Sequence, residues 1–429
     1  MSGPPDTVEA RRAAEDAARR SYGKLLACLA AQTRDLSEAE DALAEAFAAA
    51  LGAWPKSGVP ASPEAWLLTA ARRRFLDAAR RGRTRREAVP RLAGMLDELA
   101  AEQTAERPIP DERLRLIFAC AHPAIDPAAR APLMLQTVLG LDAAAIASAF
   151  LVSPAAMSQR LVRAKTKIRD AGVPFAEPDL DALPERLQAV LEAVYAVFTQ
   201  GWSDPAGADP KSRGLVEEAL FLGRLLASLL PGEPEPKGLL ALMLYAHARR
   251  AARRDADGRF VPLDAQDPAL WDGPLIDEAE ALMMAALPIG RIGRFQIEAA
   301  IQSAHVHRRH DRSSTDWGAI VALYDSLLAL TGSVVAALNR ALALSHRDGA
   351  EAGLEALAEL AGDTRLADYQ PYWAARADLC DRAGRLPEAQ DAYVRAIGLE
   401  ADPAVRAALQ DRLCGIMDSG AAERPSRAF

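Results

Sequence analysis

The densest set of chemistry-bearing side chains is WLLTAARRRFLDAARRGRTRR, Trp66 to Arg86. It sets eight arginines (72, 73, 74, 80, 81, 83, 85 and 86) against a single acid, Asp77. Guanidinium groups at this density suit phosphate, because each contact neutralises charge and releases a counterion. Leu67, Ala71, Phe75 and Ala78 share one helical face, which turns most of the arginines outward. Ser62, Pro63 and Glu64 form a helix start: a side-chain cap, a proline in the first turn and a carboxylate facing the dipole. Taken alone, the run fits a solvated arginine-rich face, or a helix bound to an acidic partner, as well as it fits phosphate. Just upstream the sign reverses. Asp35, Glu38, Glu40, Asp41 and Glu45 punctuate Leu36, Ala39, Leu43 and Phe47, so an acidic amphipathic helix feeds the basic one.

A second set lies in LDAAAIASAFLVSPAAMSQRLVRAKTKIR, Leu141 to Arg169. The pattern predicts a helix from about Asp142 to Phe150 with Ile146 and Ala149 inward, a turn at Leu151–Ser153, and a second helix capped by Ser153 with Pro154 first. Met157, Leu161, Ala164 and Ile168 then share one face. At roughly 100° per residue, Gln159, Arg163 and Thr166 point the opposite way, flanked by Arg160 and Lys167. A recognition helix needs this arrangement: an apolar back on a scaffold, Gln and Arg toward base edges, outer cations on phosphate. A helical hairpin whose basic residues only solubilise it is the plain alternative.

Other candidates are weaker. His307 and His310 have the i,i+3 spacing of a two-imidazole metal site beside His305, but Arg308, Arg309 and Arg312 would repel a cation. The stretches 201–214 and 255–271 are rich in Asp, Gly and Pro; ordinary Asx turns explain them more simply than a ligand site, and neither has the EF-hand pattern. Cys28, Cys120, Cys380 and Cys414 are widely spaced with no CxxC, which reads as buried thiols rather than a disulfide framework or zinc site. No catalytic triad, phosphate loop or paired-carboxylate motif is visible, so neither enzyme activity, cofactor nor metal is expected.

The elements that must position these residues are helical. Of 429 residues, half are hydrophobic but only 5% aromatic, and Ala and Leu dominate over β-branched types. Nowhere does alternation flanked by hairpin turns suggest strands, so an all-α fold is expected. The net charge of −8 masks the local basic blocks. The N-terminus lacks a secretory apolar core and no stretch reaches the roughly 18–20 apolar residues of a membrane span, so the chain reads as soluble and cytoplasmic, without a membrane partner. Composition divides it into an N-terminal tail or helix start (1–20), a first block (21–86), a Pro-containing linker (87–110), a second block (111–172), a long helical extension (173–417) and a frayed tail (418–429). Within the extension, 369–403 fits a tetratricopeptide frame with Trp373, Ala377, Gly384, Ala389, Tyr393 and Ala396 at its knob, close-contact and turn positions. A weaker hairpin precedes it, from about Trp317 to Leu360.

These motifs resemble a known family. DLSEAEDALAEAFAAALGAWPKSGVPASPEAWLLTAARRRFLDAARR (35–81) is similar to conserved region 2 of bacterial sigma factors of the extracytoplasmic-function type. SPAAMSQRLVRAK (153–165) is similar to the recognition helix of their region 4. LRLIFACAHPAI (114–125), GLLALMLYAHARRAARRDADG (238–258), TDWGAIVALYD (315–325) and LNRALAL (338–344) resemble segments of one subgroup with a long tetratricopeptide-like extension.

The resemblance implies a subunit that brings core RNA polymerase to promoter DNA. It places Asp35, Glu38, Glu40, Asp41, Glu45 and Phe47 on the polymerase. It places Trp66, Arg72, Arg73, Arg74, Asp77, Arg80 and Arg81 at the −10 element, and Ser158, Gln159, Arg160, Arg163, Lys165 and Lys167 at the −35 element. Two positions depart from the family pattern. Arg73 stands where Asn is frequent, which puts the usual −10 base contact in doubt, and Gln159 stands where Ser is common. The extension is then expected to regulate the DNA-reading blocks and to bind a protein or peptide ligand. The competing expectation is a helix-turn-helix regulator with a helical sensor that never joins polymerase.

Overall fold

The computed structural model describes residues 7–81, 111–150, 152–202, 210–307 and 315–422, with side chains throughout except at 8, 19, 76–81, 148–149, 210–213 and 418–422. Among the described residues every regular element is a helix, and strand pairing is limited to an isolated bridge between Arg254 and Phe260. Chain contacts divide the protein into two units, Met1–Gly201 and Trp202–Phe429. The expected linker 87–110 lies outside the described residues.

The first unit opens with α1 (Thr7–Thr33), which begins inside the stretch 1–20 expected as a tail or helix start. Ala10, Ala14 and Ala17 and then Leu25, Leu26 and Leu29 are buried along it, which is why the chain is ordered this early. The helix stops at Arg34, which takes a left-handed φ of 57°. Asp35 restarts it: its carboxylate accepts from the Ser37 and Glu38 amides and caps α2 (Leu36–Ser57). Gly58, at φ 83°, ends α2 with its amide on Trp54 O. Pro63 opens α3 (Pro63–Arg81), and α1, α2 and α3 pack against one another.

The second block begins with α4 (Arg113–Cys120) and α5 (Pro127–Leu139), both seated on α1. Gly140, in the left-handed region at φ 73°, closes α5. Two shorter-spaced helices follow, α6 (Ala143–Ala149) and α7 (Pro154–Asp170). The unit does not stop at Gly172. The next helix, α8 (Leu183–Trp202), buries Leu187, Val190, Leu191, Val194 and Val197, and Arg186 donates to Phe118 O at 2.6 Å. The contact boundary therefore falls about thirty residues past the composition break, after Gly201.

The second unit is built of helices packed largely in chain order: α9 (Pro210–Leu229), α10 (Pro234–Ala248), α11 (Gly273–Ala286), α12 (Arg294–Val306), α13 (Trp317–Thr331), α14 (Val334–Asp348), α15 (Ala350–Ala358), α16 (Gln370–Arg382), α17 (Leu386–Leu399) and α18 (Pro403–Ala422). Helix α10 is apolar all round, with Leu239, Leu240, Met243, Leu244 and Tyr245 buried, and α9, α11 and α12 enclose it. Glu235 on α10 accepts from the amides of Phe295 and Gln296, each at 3.1 Å, and so caps α12, whose own preceding residue is Gly293. From α12 onward the described core includes three successive apolar clusters, centred on Ile320 and Val321, on Leu338 and Leu379, and on Ala389 and Tyr393. Such a quasi-one-dimensional core means each helix depends mainly on its sequence neighbours.

Ala377, Ala389, Tyr393 and Ala396 are buried and Gly384 turns between α16 and α17 at φ 73°. Tyr372 rather than Trp373 fills the core there: Tyr372 is 4% exposed, while Trp373 lies half-buried against two clusters, with its indole N–H on Ala367 O and Arg395 over its ring. The last helix continues to Ala422, inside the stretch expected to fray. In the Asp/Gly/Pro segment, Asp255 accepts from the amides of Asp257 and Arg259, which is Asx-turn chemistry. His305 meets Trp317 edge-on, Trp317 stacks on His346 at 4.0 Å, and His310 lies outside the described residues.

Candidate nucleic-acid interface

Helix α7 carries its charge on one side because its apolar residues are committed to the other. Met157, Leu161, Ala164 and Ile168 are at most 5% exposed and rest on α5 and α6. Two caps position the pair of helices. Asp142 accepts from the Ala145 amide at the start of α6, and Ser153 accepts from the Ala156 amide at the start of α7. Ile146 and Ala147 are buried between them, while the side chain of Ala149 lies outside the described residues. Ser158, Gln159, Arg163 and Lys167 are exposed, and Arg160 is half-buried. A row of exposed amide and guanidinium donors on a rigidly backed helix is chemically able to meet base edges and phosphates together.

Lys165 does not belong to that row. It is turned toward α2, where its ammonium donates to Glu40 Oε2, and the two side chains are only 11% and 17% exposed. Burial pushes the Glu40 carboxyl above its ordinary range, and the charge of Lys165 pulls it back. The second carboxylate oxygen, Oε1, is buried without a hydrogen-bond partner among the described residues.

The acidic helix α2 buries Leu36, Ala39, Leu43, Ala46, Ala50 and Trp54, with Phe47 half-buried. Asp35 is 7% exposed and its carboxylate is occupied as the helix cap. Glu38 is partly exposed, and Asp41 and Glu45 are exposed. On α3, Arg73 and Arg74 face outward, with Arg74 Nε 3.6 Å from Glu45. Arg72 does not: it is 4% exposed and its Nε donates to Gln32 Oε1 of α1 at 3.2 Å. Three consecutive arginines span 200° of a helix, and Arg72 is the one that falls toward the core side, where Gln32 receives it. Trp66 is half-buried, edge-on to the buried Trp54 at 5.5 Å. The side chains of Asp77, Arg80 and Arg81 lie outside the described residues.

Three residues that the motif reading passed over matter here: Tyr22, Gly23 and Gln32. Gly23 lies inside a long helix, where glycine costs stability unless a backbone must come close. It does come close, because a Cβ added at Gly23 would collide with Val138 O of α5. That glycine was the one available signal.

Residues 17–86 match the family model described as Sigma-70 region 2. Residues 186–287 match a family of unknown function (DUF6596). An uncharacterized protein of Rhizobium meliloti (strain 1021) is 43% identical over 373 residues, covering 85% of this chain and 87% of that protein. No solved structure matches.

Proposed function

We propose, from the match of residues 17–86 to the Sigma-70 region 2 model, that the chain is a promoter-specificity subunit of RNA polymerase of the extracytoplasmic-function type. In this reading α2 docks on the polymerase through Asp41, Glu45 and neighbouring Glu38 and Phe47. Arg73 and Arg74 of α3 hold the DNA backbone at the −10 element while melted bases find pockets. Helix α7 serves as the recognition helix of region 4 in the major groove of the −35 element, with Gln159 and Arg163 on base edges and Arg160 and Lys167 on phosphate. The helical second unit regulates this activity and takes a protein or peptide ligand on its repeat surface.

The observation that carries the proposal is the union of a region 2 match over α1–α3 with a second basic helix, α7, whose apolar side is fully committed and whose exposed side offers Gln and Arg donors. The two exposed acids of α2 test it. Asp41→Lys with Glu45→Lys leaves the buried face of α2 untouched and is expected to weaken binding of core polymerase without lowering helicity by circular dichroism. Recovery of core polymerase at the wild-type level by the folded double variant would count against the proposal.

A further inference from the structure

The chain leaves α10 of the second unit through RRAARR, Arg249 to Arg254, whose 3₁₀ turn (Arg250–Arg253) is seated by the buried Ala252. It returns through a second such turn, Pro268–Leu270, and Asp272 then caps α11 by accepting from the Leu275 amide at 3.2 Å. The Asp272 amide donates to Ala248 O at 2.9 Å, which fixes the end of α10 beside the start of α11. At this junction lies an open cavity of about 680 Å³, walled chiefly by His247, Arg250, Leu270, Trp271, Asp272 and Leu275. Its size is that of a small-molecule site.

Three features of the wall point to a ligand. Arg250 and Asp272 carry opposite charges on one cavity, yet neither forms an ion pair with the other or with any further described residue. Both act on His247: burial and then the charge of Arg250 hold its imidazole below the ordinary range, and Asp272 opposes them. Two nitrogens of lining residues, His247 Nδ1 and Trp271 Nε1, are buried with no hydrogen-bond partner among the described residues. A buried polar group left so costs free energy that a bound polar group recovers. Leu270 is 54% exposed on the same wall and adds apolar surface without a cover.

We propose that this cavity binds a small zwitterion with an apolar body, of which an apolar α-amino acid is the simplest form. Its carboxylate meets Arg250, its ammonium meets Asp272, and its side chain rests against Leu270, Trp271 and Leu275. Guanidinium and carboxylate make a charge-assisted bond. Asp272 spends Oδ1 on the helix cap and keeps Oδ2 for an ammonium. A simple anion would meet like charge at Asp272, and a simple cation would meet it at Arg250. A zwitterion satisfies both at once. This ligand is separate from the protein or peptide ligand proposed for the repeat surface, and the inference does not require the sigma-factor reading.

Equilibrium dialysis of the full chain tests the proposal with L-leucine, L-methionine and L-phenylalanine. Each is compared with its N-acetyl form, which lacks the ammonium, and its amide, which lacks the carboxylate. At least one of the amino acids is expected to bind one-to-one. Its N-acetyl and amide forms should bind at least about tenfold more weakly, because each loses a charge-assisted hydrogen bond. Arg250→Gln should bind that amino acid and its amide alike. Asp272→Asn keeps a good helix cap and should bind the amino acid and its N-acetyl form alike. Leu270→Glu alters an exposed position, so it spares the fold, and it should abolish binding by putting a charge where the apolar body rests. Absence of saturable binding for all three amino acids would overturn the proposal, as would equal affinity for an amino acid, its N-acetyl form and its amide. So would unaltered binding by the folded Arg250→Gln and Leu270→Glu variants.

Discussion

Arg72, Arg73 and Arg74 are identical in type and consecutive, yet the fold gives them different work. Arg72 is buried on Gln32, whereas Arg73 and Arg74 reach solvent. Removing a buried hydrogen-bonded guanidinium leaves the Gln32 amide poorly satisfied, so Arg72→Ala should cost about 1–3 kcal/mol of stability in denaturant titration. Its DNA affinity, corrected for folded fraction, should not change. Arg73→Ala should do the reverse, leaving stability intact and reducing the slope of log affinity against log salt by about 0.9, one phosphate contact. On α7 the split is between specificity and strength. Arg163→Ala should cost about 1–3 kcal/mol of discrimination at one base position, and Lys167→Ala should weaken all sequences alike. Equal, sequence-blind losses from both in a binding titration across single-base operator variants would make Arg163 a phosphate contact.

Elements divide the same way into what periodicity determines and what neighbours determine. Helix α7, its Ser153 cap and its buried Met157, Leu161, Ala164 and Ile168 were legible because a cap, a proline and a regular apolar spacing all speak locally. The outward set was legible only in part: Lys165 lies close enough to the apolar stripe to reach α2, and no spacing within α7 reveals a carboxylate so distant in the chain. The capping role of Asp35 was not legible for a related reason. An acid before a helix can be a cap or a docking charge, and only its hydrogen bonds to Ser37 and Glu38 decide. In α16 the aromatic that fills the core is shifted by one residue, from Trp373 to Tyr372, because neighbouring positions on a helix differ by about 100° and the repeat frame tolerates either. Tyr372→Ala should therefore cost about 3–5 kcal/mol as a cavity, and Trp373→Ala less. Hydrogen exchange across α16 and α17 measures the difference, with Tyr372→Ala expected to accelerate both helices.

At the scale of the molecule, α8 binds its fate to the first unit. It continues the apolar face past the Gly172–Pro174 break and ties Arg186 to Phe118 O, so a fragment ending at Gly201 should fold more stably than one ending at Gly172. Comparing the thermal midpoints of the two fragments checks this. Thiol chemistry gives an independent reading of integrity. Burial pushes Cys28 up to about 11 and Cys120 up to about 12, whereas Cys414 is exposed. At pH 8 alkylation of the native chain should reach Cys414 first and leave Cys28 and Cys120 largely unmodified, because the thiolate is the reactive form. Mass spectrometry of the peptides reads the order.

The proposed regulatory role of the second unit, whose later cores follow chain order, is open to a direct test. If it governs the first unit, promoter output by the fragment ending at Gly201 should differ from that of the full chain at equal concentration.

The central claim, that this chain confers promoter recognition on RNA polymerase, is tested most directly by run-off transcription with purified core polymerase on a template carrying the chain's own upstream region. The account predicts a discrete transcript that appears only when the protein is added and is lost with Asp41→Lys and Glu45→Lys together. Identical transcription with and without the protein, over a panel of candidate promoters and with core polymerase shown to be active, would contradict it.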